Sequence, residues 1–118
     1  MEKPPRLLTN DLLEALIANG KATEQLEGSL DHRPVVKLFT PDGGATWLLT
    51  EVLPHDPDIA FGLCDLGIGF PELGYVSLNE LSRVRGHLGF PVERDEWFHA
   101  DKPLSSYLKA ALEGERYA

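Results

Sequence analysis

The stretch PVVKLFTPDGGATWLLTEV, residues 34–52, decides the fold of this chain. Two runs of β-branched and aromatic residues, 34–40 and 45–52, lie on either side of Pro-Asp-Gly-Gly. Proline presets φ for a turn and glycine adopts positive φ without a steric penalty, so this pattern predicts a β-hairpin. Residues 59–66 predict a third strand, and residues 75–76 predict a short fourth one.

The third predicted strand has two different faces, because side chains alternate along a strand. One face carries Ile59, Phe61, Leu63 and Asp65. The other face carries mainly small residues, namely Ala60, Gly62 and Cys64, followed by Leu66. We expect a helix to approach the sheet closely on the small face.

Start and stop signals predict two helices before the C-terminal part. Thr9 is a good N-cap, and Asn19-Gly20 is a typical helix end, which together predict a helix over residues 10–19. Ser77 and Glu80 form a capping box, which predicts a second helix that ends at Gly86. Residues 21–33 are polar and weakly patterned, and we expect them to form a mobile connection.

The C-terminal third contains one weak strand and one helix. Residues 91–98 alternate, but both faces carry charge, so we expect an edge strand. Residues 104–113 repeat apolar side chains at helical spacing. The chain is thus predicted to be a small α+β domain, with an antiparallel sheet of four to five strands, an N-terminal helix, one inserted helix and a C-terminal helix.

The length and composition fit one soluble domain. A chain of 118 residues can bury a core of its own, and we expect a single domain over residues 1–118 with ends at 1–8 and 114–118 that fray. No apolar run approaches the ~18 residues that span a bilayer, and the N-terminus lacks the apolar core of a signal peptide. The single cysteine, Cys64, agrees with a reducing compartment, so we expect a cytoplasmic protein.

The charge is strongly acidic and unevenly distributed. The chain has 11 basic and 19 acidic residues, a net charge of −8. Residues 38–82 contain no lysine or arginine but carry Asp42, Glu51, Asp56, Asp58, Asp65, Glu72 and Glu80. Affinity for nucleic acid comes largely from lysine and arginine, so direct binding of DNA or RNA is disfavoured. A partner protein with a basic surface is favoured, although the same charge also serves solubility.

The glycine-rich segment 67–74 does not match a nucleotide-binding motif. Glu72 stands where a dinucleotide fingerprint needs its third glycine, and Pro71 disrupts the helix start that a phosphate requires. We therefore predict no cofactor. We interpret the segment as a turn in which Phe70 and Leu73 fill the core.

No catalytic residue can be assigned from the sequence. Cys64 lies in an apolar setting that raises the pKa of a thiol, which indicates a buried residue rather than a nucleophile. Glu51, His55 and Asp58 offer metal ligands, but without a diagnostic spacing. A small metal-dependent hydrolase that uses these three residues or Asp65 is the alternative function.

The aromatic residues Trp47, Trp97, Phe98 and Tyr107 suit a core better than a binding groove. A homodimer in which Trp97 and Phe98 bury an edge strand is a further alternative.

Three strings identify a resemblance over nearly the whole chain: VVKLFTPDGGATWLLTE (35–51), AFGLCDLG (60–67) and PELGYV (71–76). They resemble a family of small bacterial proteins that is catalogued as a domain of unknown function. The resemblance implies a setting on plasmids, phages and integrated elements, and it supplies no reaction and no catalytic residue.

The leading hypothesis from the sequence is a non-enzymatic accessory protein of mobile elements. It would bind a basic, nucleic-acid-handling partner, for example as an anti-restriction or anti-CRISPR inhibitor. The candidate partner-binding residues are Asp56, Asp58, Asp65, Glu72 and Tyr75.

Overall fold

A computed structural model describes residues 7–26, 30–115 and 117 of the chain. Its elements, in chain order, are α1 (Asn10–Gln25), β1 (Val36–Phe39), β2 (Thr46–Leu53), β3 (Asp56–Asp65), β4 (Glu72–Ser77), α2 (Leu78–Arg83), β5 (Glu93–Arg94) and α3 (Leu104–Leu112). The strands form one antiparallel sheet in the order β4-β3-β2-β1-β5. The predicted α+β class is therefore confirmed.

The hairpin predicted from residues 34–52 is formed by β1 and β2. Thr40 closes its turn, since its backbone N–H donates to Ala45 O at 3.1 Å and its Oγ1 accepts from Ala45 N at 3.0 Å. Further along, β2 has a bulge at Thr50, because Leu49 pairs with Gly62 whereas Glu51 pairs with Phe61. The bulge leaves the Thr50 carbonyl outside the regular series of hydrogen bonds between β2 and β3.

Helix α1 begins as predicted but ends later. Thr9 Oγ1 accepts a hydrogen bond from Leu12 N at 3.2 Å, as expected of an N-cap. The predicted end at Asn19-Gly20 is wrong, because the helix continues to Gln25. A Cβ at Gly20 would lie 2.0 Å from Val52 O, so the glycine allows close packing on β2 rather than ending the helix. Asn19 donates to the free Thr50 carbonyl at 2.8 Å.

Two helices cover opposite faces of the sheet. Helix α1 packs against β2, and its Leu16 lies in a first core with Leu49 and Ala60. Helix α3 packs on the other face, where Leu104 and Tyr107 meet Leu48 and Leu63 in a second core. The close helix approach expected on the small residues of β3 occurs at β2 instead, where Gly20 of α1 faces Val52 O.

Several predicted boundaries are wrong. Strand β3 begins at Asp56 rather than at 59, and β4 covers Glu72–Ser77 rather than residues 75–76. The reason is cross-strand pairing, which recruits residues that lack a strand pattern of their own, such as Asp56 opposite Leu53. Strand β5 is shorter than residues 91–98, and α2 ends at Arg83, before Gly86.

Some expectations fall on residues that the structure leaves undescribed. Residues 27–29 of the expected mobile connection belong to this group, as do residues 1–6, 116 and 118 of the ends that were expected to fray.

Asp42 in the β1–β2 turn holds the loop that follows α2. Its Oδ2 accepts hydrogen bonds from Leu88 N at 2.7 Å and Phe90 N at 3.3 Å. Burial opposes ionisation of Asp42, but these hydrogen bonds and the nearby His87 outweigh it and lower the pKa below the ordinary 3.8. The charged form is thus favoured in the folded state.

We expect this loop contact to be pH-dependent in one direction. The contribution of the Asp42 contact to the free energy of unfolding is fully present above the ordinary aspartate pKa. It is lost as the pH falls through the lowered pKa of the folded state. The amide proton shift of Leu88, followed by NMR during acid titration, should report a midpoint below 3.8. The Asp42→Asn variant should lose this transition, and a wild-type midpoint at or above the ordinary value would contradict the assignment.

Candidate functional site

The loop and edge strand that follow β3 expose five large apolar side chains. These are Leu66, Ile68, Phe70, Leu73 and Tyr75. Because they lie in the turn and second strand of the β3–β4 hairpin, we call them the hairpin patch. The interpretation of Phe70 and Leu73 as core residues is wrong, because Phe70 is 77% exposed and Leu73 is 42% exposed. Gly67 and Gly69 adopt positive φ values of 80° and 91° in the turn between the strands, and the apolar side chains of this turn lie in solvent.

The patch continues along β4 because α3 does not cover this part of the sheet. Leu73 lies opposite the buried Leu63, and Tyr75 lies opposite Phe61. The rings of Tyr75 and Phe61 are in contact, with centroids 5.0 Å apart. Leu73 and Tyr75 therefore lie next to residues of the second core on the same face of the sheet.

Strand β4 is also an edge of the sheet in the part of the chain that the structure describes. The opposite edge, β5, is only two residues long, whereas β4 has six. Natural edge strands are usually protected by lysine, proline or a bulge. Within Glu72–Ser77 there is no lysine or proline, and the pairing of β4 with β3 has a continuous register. Its outer backbone groups are thus available to a partner.

The predicted partner-binding residues lie at both ends of β3. Asp56 and Asp58 are at its start, and Asp65 is at its end, roughly 30 Å away for a ten-residue strand. Glu72 pairs with Cys64, so its side chain is on the opposite face of the sheet from Asp65, while Tyr75 lies between the two ends of β3. The acids therefore do not form one cluster: Asp65 and Glu72 lie where the turn meets the strands, and Asp56 and Asp58 lie beyond Tyr75.

Two of the predicted acids also hold local structure. Asp58 accepts from Ser77 Oγ at 2.6 Å and from Asn79 N at 2.8 Å, which fixes the start of α2. Asp65 accepts from Gly67 N and from the Tyr117 hydroxyl, each at 2.8 Å. Burial and the Asp65 carboxylate both raise the pKa of Tyr117, so the hydroxyl remains protonated and donates. Asp56, Glu72 and Tyr75 are exposed.

The residues of the hydrolase alternative do not share a partner. Glu51 lies in β2 opposite Phe61, and His55 lies 3.6 Å from Glu24 of α1. Asp58 accepts a hydrogen bond at the start of α2, and Asp65 contacts Tyr117. Among the described residues, no group of three or more His, Cys, Asp or Glu side chains is arranged to hold a metal ion. Burial, and secondly the Glu72 carboxylate, raise the pKa of the Cys64 thiol, as the sequence predicted from its apolar setting.

The predicted site residues include neither Leu73 nor the apolar side chains of the turn, Leu66, Ile68 and Phe70. A usable signal was present for the turn, since each of its three apolar residues is within two residues of a glycine or proline in the segment LGIGFP (66–71). Few other residues can pack over a tight turn, so apolar side chains in it are seldom buried. The expectation that Trp97 suits the core is wrong, because Trp97 is 87% exposed, whereas Trp47, Phe98 and Tyr107 pack in the two cores as expected.

Comparisons with known proteins give the family but no activity. None of the described helices combines the length and apolarity needed to cross a membrane. No curated protein and no solved structure matches the chain. A family model described as "Protein of unknown function (DUF2958)" matches residues 7–117. The chain, which this match covers almost from end to end, belongs to the DUF2958 family.

Proposed function

We propose that this protein is a non-enzymatic binding module whose hairpin patch docks on a basic partner protein. The observation that carries the proposal is the exposure of five large apolar side chains within a stretch, residues 38–82, that has no lysine or arginine. Contiguous exposed apolar surface with a polar rim is typical of protein interaction sites. Here acidic residues lie beside the patch, at the strand ends next to the turn and at the start of β3.

The composition of the patch matches that of interface centres. Aromatic residues supply much of the binding energy at interfaces, and Phe70 and Tyr75 are the aromatic members here. The nearby acids Asp56 and Glu72 would steer a basic partner and fix its orientation rather than supply most of the affinity. The matching partner surface is an apolar pocket that is rimmed by lysine and arginine.

Proteins that handle nucleic acid carry such basic surfaces, because they neutralise phosphates with lysine and arginine. An acidic module of this kind would compete with nucleic acid, as an anti-restriction or anti-CRISPR inhibitor does. The resemblance to proteins of plasmids and phages supports this class of partner, and we place the interaction in the cytoplasm.

The test is affinity capture from host lysate with matched variants, at low and at high salt. We expect Phe70→Ser to reduce capture of the partner about tenfold, because it removes an aromatic anchor worth more than 1 kcal/mol. Phe90→Ser is the control, since Phe90 is exposed on a different loop. The double reversal Asp56→Lys with Glu72→Lys should abolish the salt dependence.

Equal capture by the Phe70→Ser and Phe90→Ser variants would contradict the proposal. A second copy of the chain is the competing occupant of the patch, although two chains with net charges of −8 repel each other. If light scattering shows that the wild type is a dimer and that the Phe70→Ser variant is a monomer, the patch mediates self-association and the proposed basic partner is wrong.

A further inference from the structure

A groove of about 1020 Å³ lies on the α3 side of the sheet, next to the β1–β2 turn. Its walls include Phe39, Asp65, Glu93, Trp97, Glu115 and Tyr117, and we call it the tryptophan groove. None of the five residues of the hairpin patch lines it. We propose that the tryptophan groove binds the cationic side chain of an arginine or lysine in an extended polypeptide segment.

The charge around the groove is negative. Among the residues that the structure describes, five acids line it together with two cations, Lys37 and Arg94, which leaves a formal charge of −3. The acids are Asp65, Glu93, Asp95, Glu96 and Glu115. An added cation would reduce this excess, whereas an anion would increase it.

Both lining cations already have partners. Lys37 Nζ lies 3.6 Å from Asp95 Oδ2. Arg94 donates to Leu7 O at 2.7 Å and lies 3.5 Å from Glu96. No cation among the described residues pairs with Glu93 or Glu115. Asp65 accepts from two neutral donors, Gly67 N and the Tyr117 hydroxyl. Among the described residues, the charge in the groove that lacks an ion-pair partner is therefore carboxylate.

Trp97 provides an aromatic surface for the same cation. Trp97 is 87% exposed, although large aromatic residues are normally buried. Its backbone is held in place, because Trp97 N donates to Asp95 Oδ1 at 2.9 Å and the next residue, Phe98, packs in the second core against Tyr107. An exposed tryptophan ring beside carboxylates is an arrangement that attracts guanidinium and ammonium groups.

The test uses the full chain and a short arginine peptide, Gly-Arg-Gly-Arg-Gly-amide. Trp47 is only 5% exposed, so a change in tryptophan fluorescence reports chiefly on Trp97. We expect saturable quenching by the arginine peptide and none by the matched citrulline peptide, which has the same shape without the charge. Inorganic phosphate should leave the emission unchanged.

Two variants measured by calorimetry locate the site. Trp97→Ala should weaken peptide binding about two- to fivefold, as loss of an exposed cation–π contact does. Glu93→Gln with Glu115→Gln should weaken it about fivefold. The control pair Glu14→Gln with Glu80→Gln changes the net charge equally but lies outside the groove, and it should leave the affinity unchanged.

Equal binding of the citrulline peptide, or equal weakening by the control pair, would overturn the groove assignment, as would displacement of the peptide by phosphate. The proposal does not rest on the hairpin patch. The Phe70→Ser variant should bind the arginine peptide like the wild type, so failure of one proposal is distinguishable from failure of the other.

Discussion

Replacing Gly62 by alanine is expected to lower the free energy of unfolding by about 2–3 kcal/mol, the upper part of the range for overpacked sites. A Cβ at this position would lie 2.0 Å from Leu48 O and 2.8 Å from Leu49 Cα. Both atoms belong to the backbone of β2, next to its bulge, so no side-chain rotation relieves the clash. The strands must separate locally, and β2 lies in the middle of the sheet.

Gly74→Ala is the matched control, because Gly74 is the direct cross-strand partner of Gly62. A Cβ at Gly74 meets no atom within 4 Å. We expect its stability to equal that of the wild type or to exceed it slightly, since glycine in a strand is entropically unfavourable. Urea unfolding of both variants measures the difference. Equal stability of the two alanine variants would show that the approach of β3 to β2 at Gly62 is not tight.

The parts of the fold that were predictable are those decided by neighbouring residues. The β1–β2 hairpin follows from turn chemistry within residues 34–52, and the start of α1 follows from Thr9. The end of α1 was not predictable, because Gly20 and a helix-ending glycine look alike in sequence. What separates them is the distance to Val52 O, which belongs to a strand about thirty residues away. The predicted strand ends were wrong for the same reason, because pairing with residues distant in sequence sets where a strand begins and ends.

The candidate site was predictable in its charge but not in its apolar part. The lack of basic residues can be read directly from residues 38–82. The capping role of Asp58 could not be read, because its partners Ser77 and Asn79 are 19 and 21 residues away. Phe70 was assigned to the core on its residue type alone. Whether a large apolar side chain is buried depends on what packs over it, and α3 covers Leu63 but leaves Leu73 at the surface.

Leu63→Ala is expected to lower the free energy of unfolding by about 2–5 kcal/mol. Leu63 is 1% exposed and lies under α3, in contact with the core formed by Leu48, Leu104 and Tyr107. Truncation removes buried methyl groups and leaves a cavity that the central strands cannot close, because their pairing fixes the backbone. Thermal and urea unfolding measure the loss. A cost below 1 kcal/mol would mean that α3 is only loosely packed on the sheet.

Leu73→Ala separates the core from the hairpin patch, because Leu73 is paired with Leu63 across β3 and β4 and points to the same face. Since Leu73 is 42% exposed, its truncation should cost at most about 1 kcal/mol of stability. If the patch binds a partner, however, this variant should bind it more weakly than the wild type does. Leu63→Ala, measured under conditions where it remains folded, should bind normally. The two leucines would then have opposite roles: one stabilises the fold, and the other contacts the partner. Loss of stability without loss of binding in Leu73→Ala would assign β4 to the core and remove it from the interaction surface.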